Sequence, residues 1–407
     1  MKLGRYPYRA RAWWGETMVA ESDRCLCLEE NGAAPVLYFP RASIDLGAFV
    51  PGGSRHEERV GTVRCMSIDA ADGDDVLALV EGPPPPALAL AGHGSFDTER
   101  VRVDVLDGAA GDDPRDVTVK RFPVWGDAAD LVDLLDVRAE QPLRYVSTAR
   151  SDGRRPVVEG SQMLAQAMVA ASRHAPGRRV VTASMVFLRV ADAAHPLAVQ
   201  LSPLSEGRSF TALSAQVLQD SRTCAAGTLL LGAPAPDVIR HAVGAPEVSG
   251  PYDSTPFDMG VTGRDLRVVD GAYTNDPHAP PGPPALDAWV RFRHVPDDQA
   301  LQAGLLAQFT GHMPIAAAFR PYEGIGQAQA HATLSTAING ITVSIHDDIR
   351  ADHWMLYHHL STFAGGGMTH AECRVHTEEG SLLASFTVDA MVRPFAPGPA
   401  RDPRTAL

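Results

Sequence analysis

Lysine is almost missing from this chain: of 36 basic residues, only Lys2 and Lys120 are lysines, and the rest are arginine. Against them stand 49 acidic residues and a net charge of -13, so the surface lacks the positive field by which a protein holds nucleic acid or an anionic membrane. A phosphate-bearing ligand would be gripped by guanidinium forks. Cysteine is sparse and odd in number: Cys25, Cys27, Cys65, Cys224 and Cys373 are scattered along the chain. That pattern reads as free thiols in a reducing cytoplasm rather than a disulfide framework. Cys25 and Cys27 have no second pair nearby, so packed strand residues are the plainer reading than a zinc site. Met1-Lys2-Leu3-Gly4 opens no secretory apolar core, and no run approaches the roughly 18 apolar residues of a membrane span. A Gly-x-Ser-x-Gly elbow is missing, which disfavours a serine hydrolase of the α/β type. Gly365-Gly366-Gly367 lacks the lysine and the following helix of a phosphate loop and reads as a flexible turn.

What the chain has is ordinary globular composition, 45% hydrophobic and 21% charged over 407 residues, enough for two or three cores. It also has one pattern twice. A helix-period apolar segment is followed by two period-two segments joined by a short charged turn. The first copy begins at Gly160-Ser161-Gln162-Met163-Leu164 and reaches Gln219-Asp220-Ser221-Arg222-Thr223-Cys224; the second begins near Leu305-Leu306 and reaches Thr377-Glu378-Glu379-Gly380-Ser381. Met163, Leu164, Ala167, Met168 and Ala171 share one helical face. In the second copy Asp297-Asp298 offer an N-cap ahead of Leu301, Leu305, Leu306, Phe309 and His312, and Pro314 ends or kinks the helix.

A long helix ahead of an antiparallel meander is what a hot-dog fold needs, because the sheet curls around the helix and buries it. The fold class expected is therefore α+β, a double hot dog preceded by a small mostly-β domain. Short alternating runs between residues 8 and 105 supply that domain. The boundaries expected are 1–108 for the β domain, 109–145 as linker, 146–235 for the first repeat, 236–262 as linker and 263–397 for the second repeat.

Two resemblances follow. Gly160-Ser161-Gln162-Met163-Leu164-Ala165-Gln166-Ala167, then Phe187-Leu188-Arg189, then Gly207-Arg208-Ser209-Phe210, resemble the bacterial acyl-CoA thioesterase II family in order and spacing, and Trp354-Met355-Leu356-Tyr357 and Gly380-Ser381-Leu382-Leu383 agree in the second repeat. Tyr38-Phe39-Pro40, Leu90-Ala91-Gly92 and Arg100-Val101-Arg102-Val103 resemble the family catalogued as domain of unknown function 427. In its middle loop that family often has a cysteine and a lysine, where this chain has His56 and Arg59; Val80 and Gly82 stand at its usual aromatic positions.

The thioesterase resemblance implies hydrolysis of an acyl thioester by water, without metal or other cofactor, coenzyme A being part of the substrate. Acyl-CoA and acyl-carrier-protein thioesters are the partners implied; a homodimer is open, because hot-dog sheets often pair edge to edge. The family's side chains for this are an Asp on the second helix, a Thr on the next strand and a Gln on the last strand. Those positions fall here on Phe309, Ser344 and Val388, so a hydroxyl survives while the carboxylate and amide do not. Two explanations stay open. In one, catalysis has moved to neighbours, with His312 as base and Gln308, Thr310 or Ser344 orienting water; Gly160, Ser161 and Gln162, with Phe309 and Val388, then line the substrate. That reading expects Ser344 and His312 to converge on one cavity. In the other, the groove is kept and hydrolysis lost, leaving a binder, dehydratase or cyclase for acyl or polyketide intermediates. A third possibility makes the N-terminal module a sensing or interaction domain and the hot dogs its scaffold.

Weaker candidates are His346, Asp347, Asp348, Asp352 and His353, which read as a solvated turn rather than a metal site. His358 and His359 point to opposite strand faces and cannot share an ion. Arg154-Arg155 and Arg178-Arg179 are within reach of nucleotide phosphates only if they are not simply solvated.

Overall fold

The computed structural model describes residues 2–68, 75–108, 114–151, 156–276 and 278–395. Arg154 and Arg155, and residues 109–113 of the expected linker, lie outside that set. The chain divides into two compact units.

The first unit comprises Met1–Asp127 with Ser151–Arg154 and Asp258–Gly263. It holds a seven-stranded and a four-stranded antiparallel sheet. Alternation decides the inner face: in Arg9–Trp14, Ala10 and Ala12 are buried, and in Arg102–Asp107 so are Val103 and Val105. One of the two lysines, Lys120, is buried in an ion pair with Asp107 at 3.5 Å. Asp107 also accepts from the Gly263 amide at 3.0 Å, and Gly126–Asp127 pairs in parallel with Val261–Thr262. The unit thus recruits a short segment from far along the chain, beyond the boundary at 108 expected from composition.

The second unit comprises Ala128–Arg150, Arg155–Phe257 and Arg264–Leu407. Among the described residues its helices are α1 (Ala128–Leu135), α2 (Gly160–His174), α3 (Gln299–Phe309) and α4 (Pro314–Phe319). They accompany one 13-stranded sheet. At its centre the first strand after α2, Arg179–Phe187, pairs antiparallel with the first strand after α3, Leu334–Ile345, with Thr182 opposite Ser344. From that seam each half repeats the same order. The first half continues through Arg222–Gly232, Phe210–Gln219, Ala198–Glu206 and Arg144–Val146; the second continues through Leu382–Pro394, Met368–Thr377, Met355–Gly365 and Ala285–Phe292. In both, the strand that precedes the helix pairs with the second strand after it. The fold is a double hot dog, two copies of one motif related by a local two-fold.

Residues 109–145 are accordingly not a bare linker. They supply α1 and the strand Arg138–Gln141, and Arg144 opens the first repeat's outer strand. Three residues, Arg144–Val146, are too short to show alternation, so only sheet pairing reveals that strand.

α2 is buried at Ser161 and through Met163–Ala171, because the sheet covers one side and α3 the other. α3 starts where Asp298 accepts from the Ala300 and Leu301 amides at 2.8 and 3.4 Å, the N-cap expected from the sequence. Pro314 does not kink α3; it opens α4, where its missing N–H costs nothing. Gly365-Gly366-Gly367 forms a tight hairpin, with Gly365 opposite Met368 and positive φ at both Gly366 and Gly367, as a two-residue hairpin loop requires. No helix among the described residues is long and apolar enough to cross a membrane.

Candidate active site

α2 and α3 run antiparallel, so the start of one lies beside the end of the other. At one end of the pair the N-cap of α2 is Glu159, in extended conformation, whose side chain does not cap its own helix. Instead, Gln308 in the last turn of α3 donates from Nε2 to Glu159 Oε2 at 3.0 Å. His312 Nε2 lies 3.5 Å from the same oxygen. Two side chains of the second repeat thereby meet on one carboxylate oxygen of the first. The Glu159 side chain retains 31% of its exposure while that of His312 retains 4%, so the glutamate is partly open to solvent and the imidazole is buried beside it.

His312 is fixed by stacking. Its ring lies 4.7 Å from that of Phe309 at an interplanar angle of 8°. Phe309 in turn meets Tyr357 edge-on at 4.9 Å and has the buried Arg264 guanidinium 5.5 Å from its centroid. Tyr357 donates to the Leu306 carbonyl at 3.0 Å, which pins the last turn of α3. His359, one strand position beyond on the same face, is fully buried, bonded to the Leu286 carbonyl, and pushed down to about 4 by burial.

Gly160 and Ser161 begin α2 at this same corner. A side chain on Gly160 would sit 2.8 Å from the Phe187 ring, so the strand approaches the helix start closely enough to demand glycine. Ser161 is buried against Gly311. Gln162 is half-buried in the first turn. The positive end of the α2 dipole and its first amides therefore face the region where Glu159 stands.

Of the sequence candidates, Gln308 and His312 are brought together, and Gly160 and Ser161 adjoin them. Phe309 is present as the fully buried support of His312 rather than as an exposed lining residue. Thr310 does not orient water: it is fully buried and its hydroxyl donates to the Ala307 carbonyl at 2.6 Å. Ser344 does not converge with His312. On its strand Ile341, Val343 and Ile345 face the core, whereas Ser344 faces the other side, within 3.4 Å of Thr182 Oγ1. Period two makes that separation unavoidable. Val388 is a packed core residue between Ile341 and Ala371. The residue the sequence reading missed is Glu159. It sits directly before the Gly-Ser-Gln helix start, an N-cap position, but nothing local shows that its side chain turns away toward another helix.

The charged turn after Ser344 is bound up in ion pairs: Arg240 with Asp347 at 2.8 Å and Arg350 with Asp352 at 2.9 Å. His358 pairs with Asp287 at 2.8 Å on the face opposite His359. In the first unit Arg59 pairs with Glu30 at 2.6 Å, and Val80 is core.

Two hot-dog motifs in one chain, with a carboxylate at the head of one helix and an imidazole and amide at the foot of the other, define the class as a double hot dog. Residues 148–232 match the acyl-CoA thioesterase N-terminal domain and 242–392 the acyl-CoA thioesterase C-terminal domain, and the chain belongs to that family. Residues 2–107 match the domain of unknown function DUF427. Acyl-CoA thioesterase 2 of Haemophilus influenzae is 26% identical over 282 residues, covering 65% of this chain and 97% of that protein. Among solved structures, an acyl-CoA thioesterase II of Mycobacterium marinum superposes with a TM-score of 0.56 at 22% identity, covering 65% of this chain and 99% of its own. A hot-dog protein of Alicyclobacillus acidocaldarius gives 0.51 at 18% identity over 66% and 99%. The structural likenesses establish the fold.

Proposed function

We propose that the protein hydrolyses acyl-CoA thioesters with a relocated active site in which Glu159 replaces the family's missing carboxylate. The observation that carries this reading is the meeting of Gln308 and His312 on Glu159 Oε2 across the two repeats. Phe309 and Val388 stand where the family resemblance expects an acid and an amide, and neither has a group that can move a proton. Glu159 restores the acid from the other helix, and Gln308 restores an amide one residue before Phe309.

In this reading Glu159 accepts a proton from water as the water oxygen bonds to the thioester carbon. The Gln308 amide fixes the carboxylate's rotamer, and His312 stabilises its negative charge from the buried side. The oxyanion that develops is met by backbone amides at the start of α2, which carry no side-chain cap. Collapse breaks the carbon–sulfur bond, and the proton on Glu159 passes to the departing sulfur. The products are a carboxylic acid and free coenzyme A.

The test is thiol release from acyl-CoAs of graded length by the full chain and by Glu159→Gln. Turnover in the first and its loss in the second supports the assignment. Equal turnover in both removes Glu159 from it, and stabilisation by acyl-CoA without turnover in either favours the non-hydrolytic binder.

A further inference from the structure

The local two-fold that builds the Glu159 corner builds a second corner at the opposite end of the helix pair. There α3 begins and α2 ends. The equivalent of Glu159 is Asp298, the N-cap of α3, and the side chain reaching it from the last turn of α2 is Arg173, at 3.2 Å. The two corners share a plan and differ in chemistry. An imidazole and an amide face the first carboxylate, whereas a guanidinium, which does not give up its proton in proteins, locks the second.

The second corner opens onto a cleft of about 1100 Å³. Its inner wall is apolar, with Met168 of α2, Ala303 of α3 and Ile345 of the central strand among its lining. Its rim carries four arginines, Arg173, Arg178, Arg179 and Arg240, and four aspartates. The carboxylates there are largely engaged: Asp298 by Arg173, Asp237 and Asp347 both by Arg240 at 2.8 Å, with Asp348 remaining. Arg178 and Arg179 carry no carboxylate. Arg178 bonds the Gly207 and Arg208 carbonyls from Nη2, and its Nη1 is shielded from solvent with no hydrogen-bond partner among the described residues. Arg179 is exposed and makes no ion pair among the described residues. A ligand whose chain fills the slot and whose negative head reaches the exposed Arg179 guanidinium would satisfy both halves of the cleft.

We propose that this cleft is a second, non-catalytic binding site for an aliphatic chain bearing an anionic head, supplied either as a free long-chain carboxylate or as an acyl-CoA. The site is separate from the Glu159 corner and does not rest on hydrolysis there.

Calorimetric titration of the full chain with dodecanoate and with S-dodecyl-coenzyme A, a thioether that cannot be hydrolysed, tests it. Ala303→Phe fills the slot from a half-exposed position, and Arg179→Glu reverses a surface charge without touching the core. Each is expected to weaken one or both probes at this site by about tenfold or more, while Glu159→Gln leaves that affinity within about twofold. Loss confined to dodecanoate identifies the free acid as the ligand; loss of the second of two S-dodecyl-coenzyme A sites identifies the thioester. The proposal is overturned if neither probe binds, if both variants bind like the parent while unfolding at the parent's temperature, or if binding is lost with Glu159→Gln instead.

Discussion

The two ends of the α2–α3 pair have the same backbone plan and opposite side-chain logic. At the α3 end, Asp298 turns inward to cap its own helix and is held by Arg173, so its oxygens are spent on structure. At the α2 end, Glu159 is one methylene longer, leaves its helix uncapped and reaches across to Gln308 and His312. Duplication thus supplies two N-caps, one spent on its own helix and one turned toward the other repeat. A cap that stabilises its own helix has its lone pairs directed at backbone amides, and a carboxylate so engaged is a poor acceptor for a water proton.

The comparison breaks most visibly at Glu159. Glu159→Gln keeps the size of the side chain and removes its basicity; kcat for thiol release is expected to fall by roughly a hundredfold to ten-thousandfold, with the unfolding temperature little changed. A smaller effect belongs to its partners. His312→Phe preserves the stack on Phe309 but removes the nitrogen, and roughly a tenfold to hundredfold drop in kcat with a changed pH–rate profile is expected. Gln308→Leu, which removes one hydrogen bond, is expected to cost about tenfold.

His359 sharpens the contrast on the stability side. Its folded-state protonation is pushed down from 6.5 to about 4 by burial, so below pH 6.5 the unfolded chain binds the proton more readily than the folded one. Stability from this group is therefore full above about pH 6.5 and is lost as pH falls toward 4, by up to about 3 kcal/mol. Burial moves His376 and His346 the same way. Urea unfolding at pH 7.5 and pH 5 should show a shallower acid loss in His359→Phe than in the parent. At the other helix end, Asp298→Ala removes the α3 cap and is expected to lower stability by about 1 kcal/mol in the same assay. The smallest effect is at Ser344: Ser344→Ala should leave thiol release within about twofold, because its hydroxyl is on the wrong face of the sheet.

Much of this is legible in the sequence alone. The apolar faces of both helices, the Asp298 cap and the duplicated helix-plus-meander follow from periods of 3.6 and 2 that composition cannot disguise. His312 and Gln308 are legible as candidates because they flank Phe309, where the family resemblance implies a carboxylate. Ser344 was misjudged because its strand was aligned by motif. A one-residue difference in register reverses which face a strand residue occupies, and only pairing with Thr182 on one side and Ser385 on the other fixes that.

Glu159 marks the boundary between the two kinds of information. The sequence by itself determined a double hot dog of the acyl-CoA thioesterase family, with its two helices and the Asp298 cap, because each depends on local periodicity or on residues near one another in the chain. Only the tertiary structure decided that Glu159 meets Gln308, 149 residues further along the chain, and that a second cleft lies at the far end of the same helices. The antiparallel packing of α2 on α3 makes those neighbours, and no pattern within either repeat encodes which end of one helix meets which end of the other.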